Sequence, residues 1–275
     1  RFRYKPTKAS AVQSRIRQLE KTRIIEIEQK PKTITLKFPS CIRSGLKAVE
    51  LLNVSKKYED NLVFDSIDLK IERGEKVALV GVNGSGKSTL SRLISKIEDP
   101  TKGIINIDKN IFTGFYAQES AQNVNYKNTL WEEIQLLETK ANDKEKRNLL
   151  GAFLFKNDDM NKSISVLSGG EKSRLALCKI LLLPQNLLIL DEPGNHLDMY
   201  TKEIFQRALM AYEGTLIIVS HDRFFLDRIC DFLFIFENDK ITKFAGNYSD
   251  YLLVKRFRQE EAGVGTTTFK RAYES

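Results

Sequence analysis

The sequence predicts an α/β fold with a parallel sheet at its core, and three observations carry that prediction. The apolar runs at 76–80, 187–190 and 215–219 are continuous rather than alternating, the pattern of strands buried on both faces. Helical stretches separate the runs, so each strand can re-enter the sheet in the same direction. The first run leads directly into a glycine-rich turn and a helix, "KVALVGVNGSGKSTLSRLI" over 76–94.

Composition bounds the rest. At 275 residues the chain is long enough to bury a full core. No stretch approaches 18 uninterrupted apolar residues, so no membrane-spanning helix is expected, and no basic-then-apolar leader opens the chain. Cys41, Cys178 and Cys230 are widely spaced and odd in number, which reads as free thiols in a reducing, cytoplasmic setting.

The net charge of +8 is unevenly spread. Residues 1–47 hold 13 Lys and Arg against Glu20, Glu26 and Glu28, while the remaining 228 residues hold 31 basic and 33 acidic side chains. A basic arm of this kind suits either a polyanion or a solvated linker. Within it, Val12, Ile16, Leu19, Ile24 and Ile27 fall on one side of a helix from Ser10 to about Glu28. Pro31 ends that helix, 30–47 reads as an extended linker, and the compact domain begins around Val49 to Val54.

The turn after the first strand meets the pattern G-x-x-x-x-G-K-[ST] at Gly81, Gly86, Lys87 and Ser88. Gly81, Val82, Asn83, Gly84, Ser85 and Gly86 can curl backbone N–H groups round a β-phosphate. Lys87 neutralises the β and γ phosphates, Ser88 ligates Mg²⁺, and Thr89 continues the helix whose dipole adds to the field. The second buried strand ends in Asp191 and Glu192. Asp191 is placed to hold the magnesium shell through water, and Glu192 can act as general base on the attacking water. The third, "TLIIVSHD", ends in Ser220 and His221, whose imidazole could reach the γ-phosphate. The other histidine, His196, follows the second strand.

A second anion seat appears in "SVLSGGEKSRLAL", residues 165–177, where Ser168, Gly169 and Gly170 open a helix with N–H groups facing outward and Glu171 follows. P-loop, LSGG helix, Asp-Glu pair and late histidine, in that order, resemble the nucleotide-binding domain of the ATP-binding cassette (ABC) superfamily. The resemblance implies why one domain carries two seats: two cassettes meet head to tail, and the LSGG of one covers the γ-phosphate held by the other. It implies ATP and Mg²⁺ as ligands, Tyr58 as the aromatic that stacks on adenine, Gln118 as a magnesium-sensing glutamine, and Asn195 to Asp198 as a loop crossing the interface. It also implies an antiparallel β-subdomain from about 49–73 and a helical subdomain from about 119–180.

"DEPGNHLD", "SHDRFFLDRI" and "FAGNYSDYLLVK" resemble the ABC-F branch, in which two cassettes are joined by a helical linker. "RFRYKPTKASAVQSRIRQLEK" resembles the end of that linker. This predicts a linker arm at 1–47, a cassette at 48–255 and a tail at 256–275, as the C-terminal half of a longer ATPase. The partners implied are the N-terminal cassette, or a second copy of the fragment, and the ribosome with its rRNA and P-site tRNA. A housekeeping translation role and antibiotic-resistance ribosome protection both fit. The rival reading is the ATPase subunit of a membrane transporter, which shares the catalytic motifs but not the basic arm. Gly194 departs from the branch's usual threonine, and glycine there is expected to loosen the turn after Glu192.

Overall fold

Strand pairing separates the two kinds of apolar pattern into two sheets. The computed structural model describes residues 38–39, 41–117, 125–237 and 240–261. The chain divides into two units, Arg1–Ile34 and Thr35–Ser275, and the described residues belong to the second. The predicted arm helix from Ser10 to Glu28, Gln118 and the chain beyond 261 lie outside them.

Interleaved buried and exposed residues make the first sheet. β1 (Lys47–Tyr58) and β2 (Asn61–Glu72) pair antiparallel, and β1 buries Ala48 with Val49 and Val54 with Ser55 in succession where its ladder shifts register. Tyr58 pairs with Asn61 across a two-residue turn, where Glu59 takes the positive φ (50°) that such turns demand. β4 (Lys102–Ile107) joins the other edge of β1, giving the order β2-β1-β4. The hairpin agrees with the antiparallel subdomain expected from 49–73. β4 carried no advance signal.

The continuous apolar runs make the second sheet. β3 (Lys76–Gly81), β6 (Leu187–Asp191) and β7 (Thr215–Val219) are the three expected strands, and they are adjacent and parallel in the order β6-β7-β3. β5 (Thr113–Tyr116) and β8 (Phe232–Glu237) flank them in parallel, and β9 (Lys240–Ala245) closes the edge antiparallel to β8. Leu187, Leu188 and Ile189 are wholly buried, which is why that run has no polar alternation.

Helix α1 (Lys87–Ile94) follows β3 directly. Its Leu90, Leu93 and Ile94 belong to one apolar cluster with Val49, Leu51, Phe64 and Ile71 of the first sheet and Leu79, Ile189, Ile217 and Phe234 of the second. The helix therefore pins the two sheets together. Between β5 and β6 the described chain is helical: α2 (Leu130–Gln135), α3 (Asp143–Ala152) and α4 (Gly169–Leu182). α5 (Met199–Ala211) and α6 (Arg223–Ile229) follow β6 and β7, and α7 (Tyr248–Glu261) runs through residue 255, the expected end of the cassette. Among the described residues no helix is long and apolar enough to cross a membrane.

Candidate functional site

Because β6, β7 and β3 are adjacent and parallel, their C-terminal ends open side by side. In an open parallel sheet that edge is where ligands bind. A cavity of about 420 Å³ lies there, walled by Tyr58, Asn83, Gly84, Gly86, Lys87, Ser88, Thr89, Asp191, Glu192 and His221 together with Asn61, Val63 and Val219. Val82 and Ser85 wall an adjoining recess of about 640 Å³ that shares Asn61, Val63, Asn83 and Gly84 with it.

The loop has its shape because two glycines take conformations other residues resist. Gly84 and Gly86 have φ of 81° and 95°. A Cβ on Gly86 would sit 2.7 Å from Cγ1 of Val63, so the hairpin and the loop approach closely only with glycine there. Lys87 folds back on this cradle, donating to the carbonyls of Gly81 (2.9 Å) and Val82 (2.8 Å). Burial pushes its ammonium below the ordinary lysine value, and the nearby charges of Asp191 and Glu192 oppose that. An ammonium held over a glycine-rich loop at a helix start is a donor that a polyphosphate can take over from the two carbonyls.

Glu192 sits one residue beyond β6 with φ of 49°, held there by its N–H donating to the Val219 carbonyl at 2.9 Å. A non-glycine residue in that region is strained by roughly 1–3 kcal/mol, and such strain gathers where a side chain must be aimed. Its Oε1 is buried and has no hydrogen-bond partner among the described residues. His221 Nε2 is 3.6 Å away, beyond hydrogen-bonding range. Burial raises the Glu192 carboxyl above 4.5; Asp191 adds to the rise, while His221 and Lys87 oppose it. An ionisable oxygen left unpaired in a polar cavity is suited to take a proton from water.

The residues fit Mg²⁺ and a nucleoside triphosphate on these grounds. Ser88 and Asp191 share the cavity with Lys87. Among the described residues no three His, Cys, Asp or Glu cluster as metal ligands. A divalent ion here would complete its octahedron with phosphate oxygens and water, the usual habit of Mg²⁺.

Other predicted residues fall elsewhere. Ser168 caps α4, and Glu171 returns its carboxylate to the Ser168 N–H at 2.8 Å in a reciprocal capping box. The expectation of a free Ser168 N–H is thus corrected: Gly169 and Gly170, in the first turn, have N–H groups with no intrahelical partner, and an incoming anion must displace the Glu171 carboxylate to use the third. None of these four residues lines the cavity. Asn195 and His196 are exposed. Asp198 caps α5 through the N–H groups of Tyr200 (3.0 Å) and Thr201 (3.1 Å). Gly194 has no positive φ, and a Cβ there would meet only the end of the Lys202 side chain, Cε at 3.4 Å and Nζ at 3.8 Å, so the turn does not require glycine.

Sequence reading missed several supports. Asp222 caps α6 through the Phe225 N–H (3.0 Å) and pairs with Lys202 of α5, fixing the loop that carries His221. Asp222 before an apolar helical run was a readable cap signal, whereas the Lys202 partner, twenty residues away, was not.

These strand ends and this loop define an ATP-binding cassette, and the chain belongs to the ABC transporter family, whose model matches residues 64–195. Within that family it belongs to the F group. ABC transporter F family member 5 of Arabidopsis thaliana is 37% identical over 246 residues, which cover 89% of this chain and 36% of that protein. Energy-dependent translational throttle protein EttA of Escherichia coli O6:H1 is 35% identical over 263 residues, 94% of this chain and 47% of that one. Among solved structures, cbiO1 from Clostridium perfringens, part of the ABC transporter complex cbiONQ, superposes with a TM-score of 0.59 at 25% identity, over 78% of this chain and 94% of that one. The chain therefore spans less than half the length of these two curated relatives.

Proposed function

We propose that this chain is an ATP-hydrolysing cassette of an ABC-F protein that works on the ribosome and needs a second cassette for full turnover. The observation that carries the ATPase reading is the meeting of Lys87, Ser88, Asp191, Glu192 and His221 on one cavity. Lys87 exchanges its two carbonyl partners for β and γ phosphate oxygens. Glu192 accepts the proton of the attacking water, and His221 steadies the γ-phosphate from the β7 end. Bound Mg²⁺, held by Ser88 directly and Asp191 through water, would neutralise phosphate charge. Ribosome action is supported by the basic stretch 1–47, suited to RNA phosphates, and by the translational role in EttA's name.

Two substitutions test the chemistry. Glu192→Gln should leave Mg-ATP binding intact and lower turnover by about 10²–10⁴, the reach of general-base catalysis. Lys87→Ala should weaken binding itself. Equal, small effects of both on binding and turnover would sink the assignment.

A further inference from the structure

The base end of the cavity is built on a charged cluster that lies outside the sequence motifs. Tyr58 ends β1 and stands 37% exposed in the cavity wall. Its hydroxyl donates to Glu98 Oε2. The other oxygen of that carboxylate accepts from Arg92 Nε at 2.6 Å, and Lys56 Nζ lies 3.1 Å from Oε2. Lys56 is itself anchored on the Asp99 carbonyl at 2.9 Å, and its ammonium stands over the Tyr58 ring, 4.8 Å from the centroid. Arg92 belongs to α1, the helix that begins with Lys87 and Ser88. One carboxylate thus ties the ring at the end of β1 to the helix that carries the phosphate-binding side chains.

We propose that Glu98 is a positioning residue for the nucleobase, holding the Tyr58 ring at a fixed place relative to the P-loop helix. The inference rests on the reading of Tyr58 as the base platform. A phenol at a hairpin end would otherwise sample several rotamers, and ordering it on binding would cost affinity. Here the hydroxyl is tethered, Lys56 stands over the ring, and the exposed part of the ring lies in the cavity wall, where a purine can reach it. The cluster stays charged: burial pushes the Glu98 carboxyl up, but the bonds from Tyr58, Lys56 and Arg92 outweigh it and hold it below 4.5. A ligand that bridges ring and P-loop feels the registration between them, while a ligand that fills only the P-loop does not.

That difference supplies the test. Binding of Mg-ATP and of Mg-tripolyphosphate to the full chain is measured by calorimetry, for the parent and for variants. Tyr58→Ala should weaken ATP by about tenfold or more, as loss of base stacking does, and leave tripolyphosphate unchanged. Glu98→Ala should weaken ATP about three- to tenfold, also without touching tripolyphosphate, and Tyr58→Phe, which keeps the ring and loses the tether, should match it. Glu98→Gln, which keeps an acceptor for the hydroxyl, should recover part of the loss. ATP binding at parental strength in both Glu98→Ala and Tyr58→Phe overturns the positioning role while Tyr58→Ala still upholds the platform. Parental binding in Tyr58→Ala overturns the platform itself. Equal losses for both ligands in Glu98→Ala would make Glu98 a support of the fold only, and if that variant does not fold, Tyr58→Phe decides alone.

Discussion

Glu192 shows how one residue can carry opposing demands. Its backbone is strained and its carboxyl is half-buried without a hydrogen-bond partner on Oε1, both of which cost folding free energy. Because the carboxyl's pKa is raised in the folded state, the folded protein binds this proton more tightly than the unfolded chain does. Its contribution to stability is therefore fully present below the unfolded value and is lost as pH rises from about 4.5 through the folded value. Glu192→Gln keeps the shape and the φ but cannot ionise. The variant should be more stable than the parent at pH about 8, and the difference should shrink as pH falls to about 4. Denaturant unfolding at the two pH values checks this; a variant no more stable at the higher pH would show that the buried charge costs nothing there.

Elements were legible to different depths, for physical reasons. β3, β6 and β7 could be read because burial on both faces leaves an uninterrupted apolar run, and Gly86–Lys87–Ser88 because phosphate chemistry fixes the spacing. β5 has only four residues and β4 exposes most of its side chains, so neither had a pattern to read. Tyr58 was placed by family resemblance, while Glu98, forty residues away, could be found only through the fold. Packing of α1 was equally hidden: its Leu90 is 0% exposed and touches the core shared by both sheets. Leu90→Ala should cost about 2–5 kcal/mol in denaturant unfolding. Ile104→Ala, on the open face of β4 at 61% exposure, should stay within about 0.5 kcal/mol. Similar costs at both positions would mean that α1 does not hold the sheets together.

At the scale of the molecule, the P-loop and the start of α4 stand apart: the start of α4 does not line the cavity that holds Lys87. Under the proposed two-cassette reading, the N–H groups of Gly169 and Gly170 are left for the other cassette's phosphate. Large apolar side chains stand exposed beside the motifs: Val82 at 76% in the P-loop, Val166 at 70% before Ser168, Met199 at 87% opening α5 and Phe224 at 85% in α6. Exposed apolar groups at a binding rim suit burial against a partner. With turnover blocked by Glu192→Gln, Mg-ATP should therefore drive association of two copies, seen by sedimentation. Gly169→Asp is the decisive variant. A Cβ at Gly169 meets nothing within 4 Å, and a carboxylate in the first turn favours the helix, so the fold should be untouched. The same carboxylate would oppose an incoming γ-phosphate. ATP affinity of the single cassette should stay at the parental value, because its own cavity is unaltered, while ATP-driven association should be lost. Association that survives Gly169→Asp would show that the α4 seat does not receive the partner's nucleotide, and head-to-tail closure would fall with it.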